Sequence, residues 1–242
     1  MKSVLLAIFF SLSCGITSLS QTSKLDCRLA DLYVHQDIEE YDMYISVIDT
    51  LLGRSYSPEL HFKKMLVRHI YIAHLLFNDS DNEKIPYHIQ ILKEDISSLK
   101  KHPDYAQHMT AFYATYYGYY AAQQPATALI YLPKSFSYAK KAIGETPNSP
   151  YSWTEYANLH YCYALFVHGN FSTAITAFSK AIELFENENN TLRCNWYYIN
   201  SLLFLAKSYE DNKQFTKANE TYNKLLKIRP DYSAIHRWKH KL

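Results

Sequence analysis

Two segments near the C-terminus repeat one pattern of small and large side chains, and that pattern restricts the fold more than any other feature of the chain. Gly169, Asn170 and Phe171 lead into Ala174, Phe178, Ala181 and Leu184; Lys213, Gln214 and Phe215 lead into Ala218, Tyr222, Leu225 and Ile228, with Pro230 just beyond. The offsets from the leading aromatic are the same in both. A small residue, a large one, another small or apolar one and then a stop suits a helix that packs closely on the helix before it and must then let the chain reverse.

The helices ahead of these segments match as well. Asn158, Tyr161, Cys162 and Leu165 precede Gly169 at the offsets at which Leu202, Leu205, Ala206 and Tyr209 precede Lys213. In that register Cys162 and Ala206 are the small contact residues, and Asn158 departs from the apolar type, so that Tyr156 or Leu159 takes over its packing. The polar stretch from Glu186 to Trp196 reads as a lengthened connection or an extended helix end. A more degenerate unit lies upstream, with a first helix over 105–123, Gly118 as its small residue, and a second helix opening at Leu132 and Pro133 and ending at Pro147. A fourth pair, Pro58 to Phe77 and Glu83 to Lys101, has helical periodicity without the signature.

The two C-terminal units resemble tetratricopeptide repeats, whose typical period is ~34 residues; here Ala174 and Ala218 are 44 apart. The run from Leu132 onward is similar to secreted tetratricopeptide proteins of Bacteroidetes, through Pro133-Lys134-Ser135, Tyr138 to Ala142, Asn195-Trp196-Tyr197 and Ile228 to Asp231. The resemblance implies an all-α, right-handed α-solenoid of stacked antiparallel helix pairs. It divides the chain into a signal peptide (1–20), an N-terminal helical cap or degenerate repeat (21–103) and tetratricopeptide-like repeats closed by a capping helix (104–242).

Composition agrees with a helical chain. Five glycines among 242 residues are too few for a turn-rich β protein, and no segment sustains a period of two. The formal net charge is only +2, so no global field draws the chain to nucleic acid. The basic groups at Lys63-Lys64 to Arg68, Lys100 to His102 and Arg237 to Lys241 read as solvated helix faces. Met1-Lys2-Ser3, an apolar run from Val4 to Ile16 and Ser18-Leu19-Ser20 read as a secretory signal cleaved after Ser20. The run is short for a bilayer span, so the mature protein is expected to lack a transmembrane domain; lipid attachment at Cys14 is the competing route. Beyond that point stand Cys27, Cys162 and Cys194. An odd number leaves at least one thiol free or intermolecular; Cys162 is expected as a buried small hydrophobe, too far along its helix to pair with Cys194.

Catalytic and metal chemistry find little footing. His236 and His240 are one turn apart but stand among Arg237, Lys239 and Lys241, and the other histidine pairs lack a third ligand at helical spacing. There is no Gly-x-Ser-x-Gly, phosphate loop or Cys-x-x-Cys, and the acidic run Glu39 to Asp42 reads as a wet face. The 23 tyrosines are the unusual item, densest over 112–120. Neighbours on a helix point about 100° apart, so these rings cannot all enter one core. In a tetratricopeptide stack the first helices line a concave groove, and the repeat alignment brings Tyr119, Tyr163 and Lys207 to equivalent places in it, with Phe112, Tyr156 and Phe166 a turn or two away. Tyrosine's broad apolar face and polar tip suit recognition.

The expectation is therefore a non-enzymatic, exported scaffold, periplasmic or secreted, without cofactor or metal. It would bind a peptide segment or helix of a partner protein through Phe112, Tyr119, Tyr156, Tyr163, Phe166 and Lys207, in an envelope assembly. The alternatives are a periplasmic small-molecule binder or transport accessory with an enclosed apolar pocket, and an enzyme whose site joins ionisable residues distant in sequence.

Overall fold

The structure, a computed structural model, describes residues 18–35, 38–188 and 191–235. Residues 1–17 of the stretch read as a signal sequence, Cys14 among them, and the His236 and His240 pair with its basic neighbours lie outside the described residues. Among the described residues ten α-helices follow one another: α1 (Ser18–His35), α2 (Ile38–Arg54), α3 (Pro58–Asn78), α4 (Lys84–Leu99), α5 (Pro103–Gln123), α6 (Ala128–Glu145), α7 (Pro150–Val167), α8 (Ser172–Asn187), α9 (Trp196–Asp211) and α10 (Phe215–Ile228). Short 3-10 turns at Pro125–Thr127 and Leu192–Cys194 precede α6 and α9, and no strand occurs among the described residues. From α2 onward each helix packs on the next, except that the α1–α2 connection is not described; α5 also meets α7, and α7 meets α9.

The starts of α3, α5 and α7 share one device. Each has proline in its first turn, at Pro58, Pro103 and Pro150, where the missing N–H would have had no helical acceptor. Ser57 and Ser149 accept from the backbone N–H groups of Leu60 and Ser152 at 3.3 and 3.5 Å, and Asn195 does the same for Tyr198 of α9 at 3.1 Å. These caps satisfy amide groups that the first helical turn leaves unpaired. The ends of α7 and α9 match too. His168 and Lys213 take φ of 50° and 59°, and the next amide, of Gly169 or Gln214, donates five residues back to Ala164 or Tyr209 at 2.8 and 2.7 Å. This is the left-handed termination that closes many helices.

The matching terminations correct the repeat register. His168 corresponds to Lys213, which places Ala157 opposite Leu202 and Tyr161 opposite Ala206; all four are buried. The second helices keep the expected register, with Ala174, Phe178 and Ala181 matching Ala218, Tyr222 and Leu225. The turn after α7 is thus one residue longer than the turn after α9. Cys162, expected in the core, is exposed, and Asn158, the odd residue of the sequence register, is a partly exposed hydrogen-bond partner of Asn200 at 3.2 Å.

Two other expectations change. The helix read as opening at Leu132 begins at Ala128, so Pro133 lies inside it. Proline there removes the donor to the Leu129 carbonyl, and Leu129 is 91% exposed, so water can take its place. Lys63 and Arg68, read as solvated, are buried because carboxylates meet them: Lys63 binds Asp26, and Arg68 Nε donates to Asp95 at 3.1 Å. Arg68 also donates to His88 Nδ1 at 2.8 Å, and His61 lies 2.8 Å from the other oxygen of Asp95. Cys27 of α1 is disulfide-bonded to Cys194 and Cys162 is free, in agreement with the expectation that Cys162 and Cys194 do not pair.

Candidate functional site

α3, α5, α7 and α9 run parallel and meet one another on their inner faces. Phe62, near the start of α3, touches Tyr105, Phe112 and Tyr151 with ring centres 5.0 to 5.9 Å apart. Two turns on, His69 reaches Tyr119 at 5.5 Å, Trp196 at 5.5 Å and Tyr197 at 6.0 Å. One histidine therefore touches α5 and α9, and through a hydrogen bond also α7: His69 Nε2 lies 3.1 Å from Glu155 Oε1. Both are nearly inaccessible, at 4% and 3% exposure.

The surroundings of Glu155 fix its charge. Burial alone would raise its carboxyl, but His69 and the Thr115 hydroxyl, which donates to its second oxygen, outweigh burial and lower it below the usual range. Tyr119 shares its hydroxyl between the Nδ1 atom of His69, at 2.5 Å, and the His69 carbonyl, to which it donates at 3.1 Å. Burial first, and the Glu155 carboxylate second, hold the Tyr119 hydroxyl well above its ordinary value. An uncompensated carboxylate here would be costly; this one is fully engaged.

The same geometry leads out to solvent. Residues 3, 4, 7 and 11 apart share a helix face, so Glu155, Leu159, Cys162 and Phe166 form one stripe along α7. It passes from buried Glu155 through half-buried Leu159 to exposed Cys162 and to Phe166, which is 81% exposed. The equivalent stripe of α5 is Thr115, Tyr119 and Ala122, and that of α9 is Asn200 and Lys207. Near their N-termini the inner helices close on one another; towards their C-termini they present side chains to solvent. Cys162 is reached by solvent, yet protein surrounds it densely enough, with Glu155 adding its charge, to push the thiol up to about 11.

The helix α1 shuts the opposite end. Its Tyr33 donates to Asn200 at 2.9 Å and lies 5.6 Å from Trp196. Asp31 accepts from Arg229 at 2.8 Å, and Leu29, Leu32 and Val34 are buried. Together with the Cys27–Cys194 disulfide, these contacts fasten the first helix to the last ones.

The six residues expected to share a groove are divided among three places. Phe112 is fully buried among Phe62, His69 and Tyr197. Tyr156 and Tyr163 lie on the side of α7 that meets α6: Tyr156 lies against His160 with ring centres 4.4 Å apart and planes tilted, and Phe136 of α6 touches His160 at 5.1 Å and Tyr163 at 5.2 Å. Tyr119, Phe166 and Lys207 occupy the inner stripes. Cys162 joins them there, a residue the sequence register had placed in the core. Sequence reasoning also passed over Glu155 and His69, because they are 86 residues apart and no motif links them.

The dense tyrosines of α5 have another destination. Tyr113, Tyr117 and Tyr120 form ring contacts with Tyr131 and Tyr138 of α6 at 4.5 to 6.0 Å, and Lys134 lies over Tyr117 and Tyr131 at 5.6 and 5.2 Å. They fill the outer seam of one helical hairpin.

Among the described residues no group of three or more His, Cys, Asp or Glu side chains could hold a metal ion, and no helix is long and apolar enough to cross a membrane. A shallow recess of about 350 Å³ lies between α8, α9 and α10, lined by Ile182, Leu202, Leu205 and Tyr209 with Lys217 and Glu220. Comparison with protein-family models, curated proteins and solved structures gives no significant match.

Proposed function

We propose that this chain is a non-enzymatic, exported binding protein built as a tetratricopeptide-like α-solenoid. Its partner-binding surface is the open end of the inner layer, formed by Tyr119, Cys162, Phe166 and Lys207, and it takes a short segment or helix end of a partner protein. The observation that carries this reading is the α7 stripe, which runs from buried Glu155 to a phenylalanine that is 81% exposed. A large aromatic presented to solvent on a rigid helix end, in a layer that also carries Lys207 of α9, is the side-chain chemistry of an interface anchor. Because α1 and the inner contacts fill the other end, the partner's segment is short; a long peptide threaded along the whole concave face has no room.

Two further observations support the reading. Tyr119 and Cys162 are shifted up and Glu155 down, so each is held in its resting protonation state, whereas a general acid or base works best near the ambient pH. The Cys27–Cys194 disulfide suits an oxidising, exported environment. The test is affinity capture from an envelope extract with wild type and with Phe166→Ser, a change at an exposed side chain that leaves the core intact. A protein retained by wild type and lost by the variant supports the proposal. Equal retention by both, or no retained protein, removes it.

A further inference from the structure

A second surface shares Phe166 with that opening and extends beyond it to the start of α6. α6 runs antiparallel to α7, since Phe136 meets His160 and Tyr163 and the short link at 146–149 joins their other ends. The start of α6 and the end of α7 therefore lie at the same end of the molecule. There Leu129 is 91% exposed, Ile130 59%, Phe166 81% and Val167 44%. Single exposed apolar residues are ordinary; four large ones at the tip of two neighbouring hairpins are not.

The charge pattern around them says what they face. Residues 105–144 and 156–182, which supply both hairpin tips, contain no aspartate or glutamate. Asp104, Glu145, Glu155 and Glu183 bound these two stretches, and the helix ends on either side carry Asp79 and Asp81 after α3 and Glu210 and Asp211 at the end of α9. Just behind the apolar tip stand half-buried Tyr117, Tyr120 and Tyr131, with exposed Lys134 over two of their rings. An apolar tip, then a belt of tyrosines, then a cation, on two stretches without a carboxylate of their own, follows the layering of a bilayer surface: acyl chains, the aromatic-favouring interface and phosphate headgroups.

We infer that this end of the molecule seats on a lipid bilayer, with Leu129, Ile130, Phe166 and Val167 entering the acyl boundary and Lys134 at the phosphates. The contact is a peripheral one made by side-chain tips. Leu129 and Ile130 belong to α6 and are outside the proposed partner-binding surface, so a variant at these two positions separates the two proposals.

The test is flotation of the full chain with phosphatidylcholine vesicles, with and without added phosphatidylglycerol, for wild type and for Leu129→Ser with Ile130→Ser, alongside circular dichroism and sedimentation velocity. Wild type should float with both vesicles, and the double variant should partition roughly tenfold less or weaker still, at unchanged helicity and melting. Three results overturn the inference: no flotation of wild type, equal flotation of the variant, or flotation only with phosphatidylglycerol that salt abolishes, which is simple electrostatic adhesion. A wild-type dimer that the double variant dissociates, without vesicle binding, assigns the patch to a second copy of the chain and also overturns it.

Discussion

Arg229 donates to Asp31 at 2.8 Å across 198 residues of sequence, with the arginine only 2% exposed. The same guanidinium holds Asp231 at 2.6 and 3.0 Å, and the Arg229 hydrogen bond is the main cause that takes the Asp231 carboxyl down to about 2. Asp231 thus keeps its charge well into acid, and with it the arginine that fastens α1 to the end of the chain.

The disulfide acts on the same junction. A bond between residues 167 apart closes a very long loop in the unfolded chain, and on the chain-entropy account this stabilises the fold by about 5 kcal/mol at most. Urea unfolding with and without dithiothreitol, and of Cys27→Ser, should show a loss of several kcal/mol. A loss below ~1 kcal/mol means that the buried leucines of α1 hold the junction without help from the disulfide.

The corrected repeat register gives a sharper contrast. Tyr161 is buried against Phe171 and Phe204 with its hydroxyl donating to Asp211 at 2.9 Å, whereas its neighbour Cys162 is exposed. Tyr161→Ala should cost ~3 to 5 kcal/mol, and Cys162→Ala less than ~0.5 kcal/mol, both read by chemical denaturation. The register inferred from sequence puts both residues at packing positions, so in it Cys162→Ala would cost stability as well.

Much of this fold is legible in the sequence because helical spacing is local. The contact between Gly118 and the following helix is where it was expected: a Cβ on Gly118 would meet Ser135 Oγ at 3.4 Å. Ala174 and Ala218 are buried as the aromatic-to-alanine spacing requires. The slip at Cys162 arose because both turns were assumed equal, and the left-handed residue that ends each helix is histidine in one and lysine in the other, neither a usual signal for that conformation. The Ser-Pro pairs at 57 and 149 and His-Pro at 102 do mark the starts of three inner helices, and were a usable sign that Pro58 to Asn78 belongs with the later ones. The candidate site was less legible. Whether an inner-face tyrosine lines a groove or fills a core depends on how sharply the layer curves, and that is set by contacts such as His69 with Glu155, distant in sequence.

Acid should weaken the fold through its buried histidines. Burial and the Arg68 charge lower His88 to about 4, against about 6.5 in an unfolded chain. Above pH 6.5 both states are neutral at this residue and its contribution is complete. Between 6.5 and 4 the unfolded chain takes up a proton that the folded one refuses, so stability falls, by roughly 3 kcal/mol at most from His88. His74, His108 and His160 are lowered by burial in the same direction. His88→Gln keeps an acceptor for Arg68 and should flatten the slope of urea stability against pH in this window; an unchanged slope would place the titration elsewhere.

The central claim is that the inner helices close at one end around His69 and Glu155 and stay open at the other, where Cys162 meets solvent. Peptide mapping without reductant, after alkylating the native protein over a range of pH, tests it most directly. The account predicts a Cys27–Cys194 linked peptide and alkylation of Cys162 without denaturant. Because that thiol is held near 11, its modification should still rise about tenfold per pH unit above 8.5, where an ordinary cysteine levels off. A Cys162 protected until the protein unfolds, or found in disulfide linkage with Cys27 or Cys194, would contradict it.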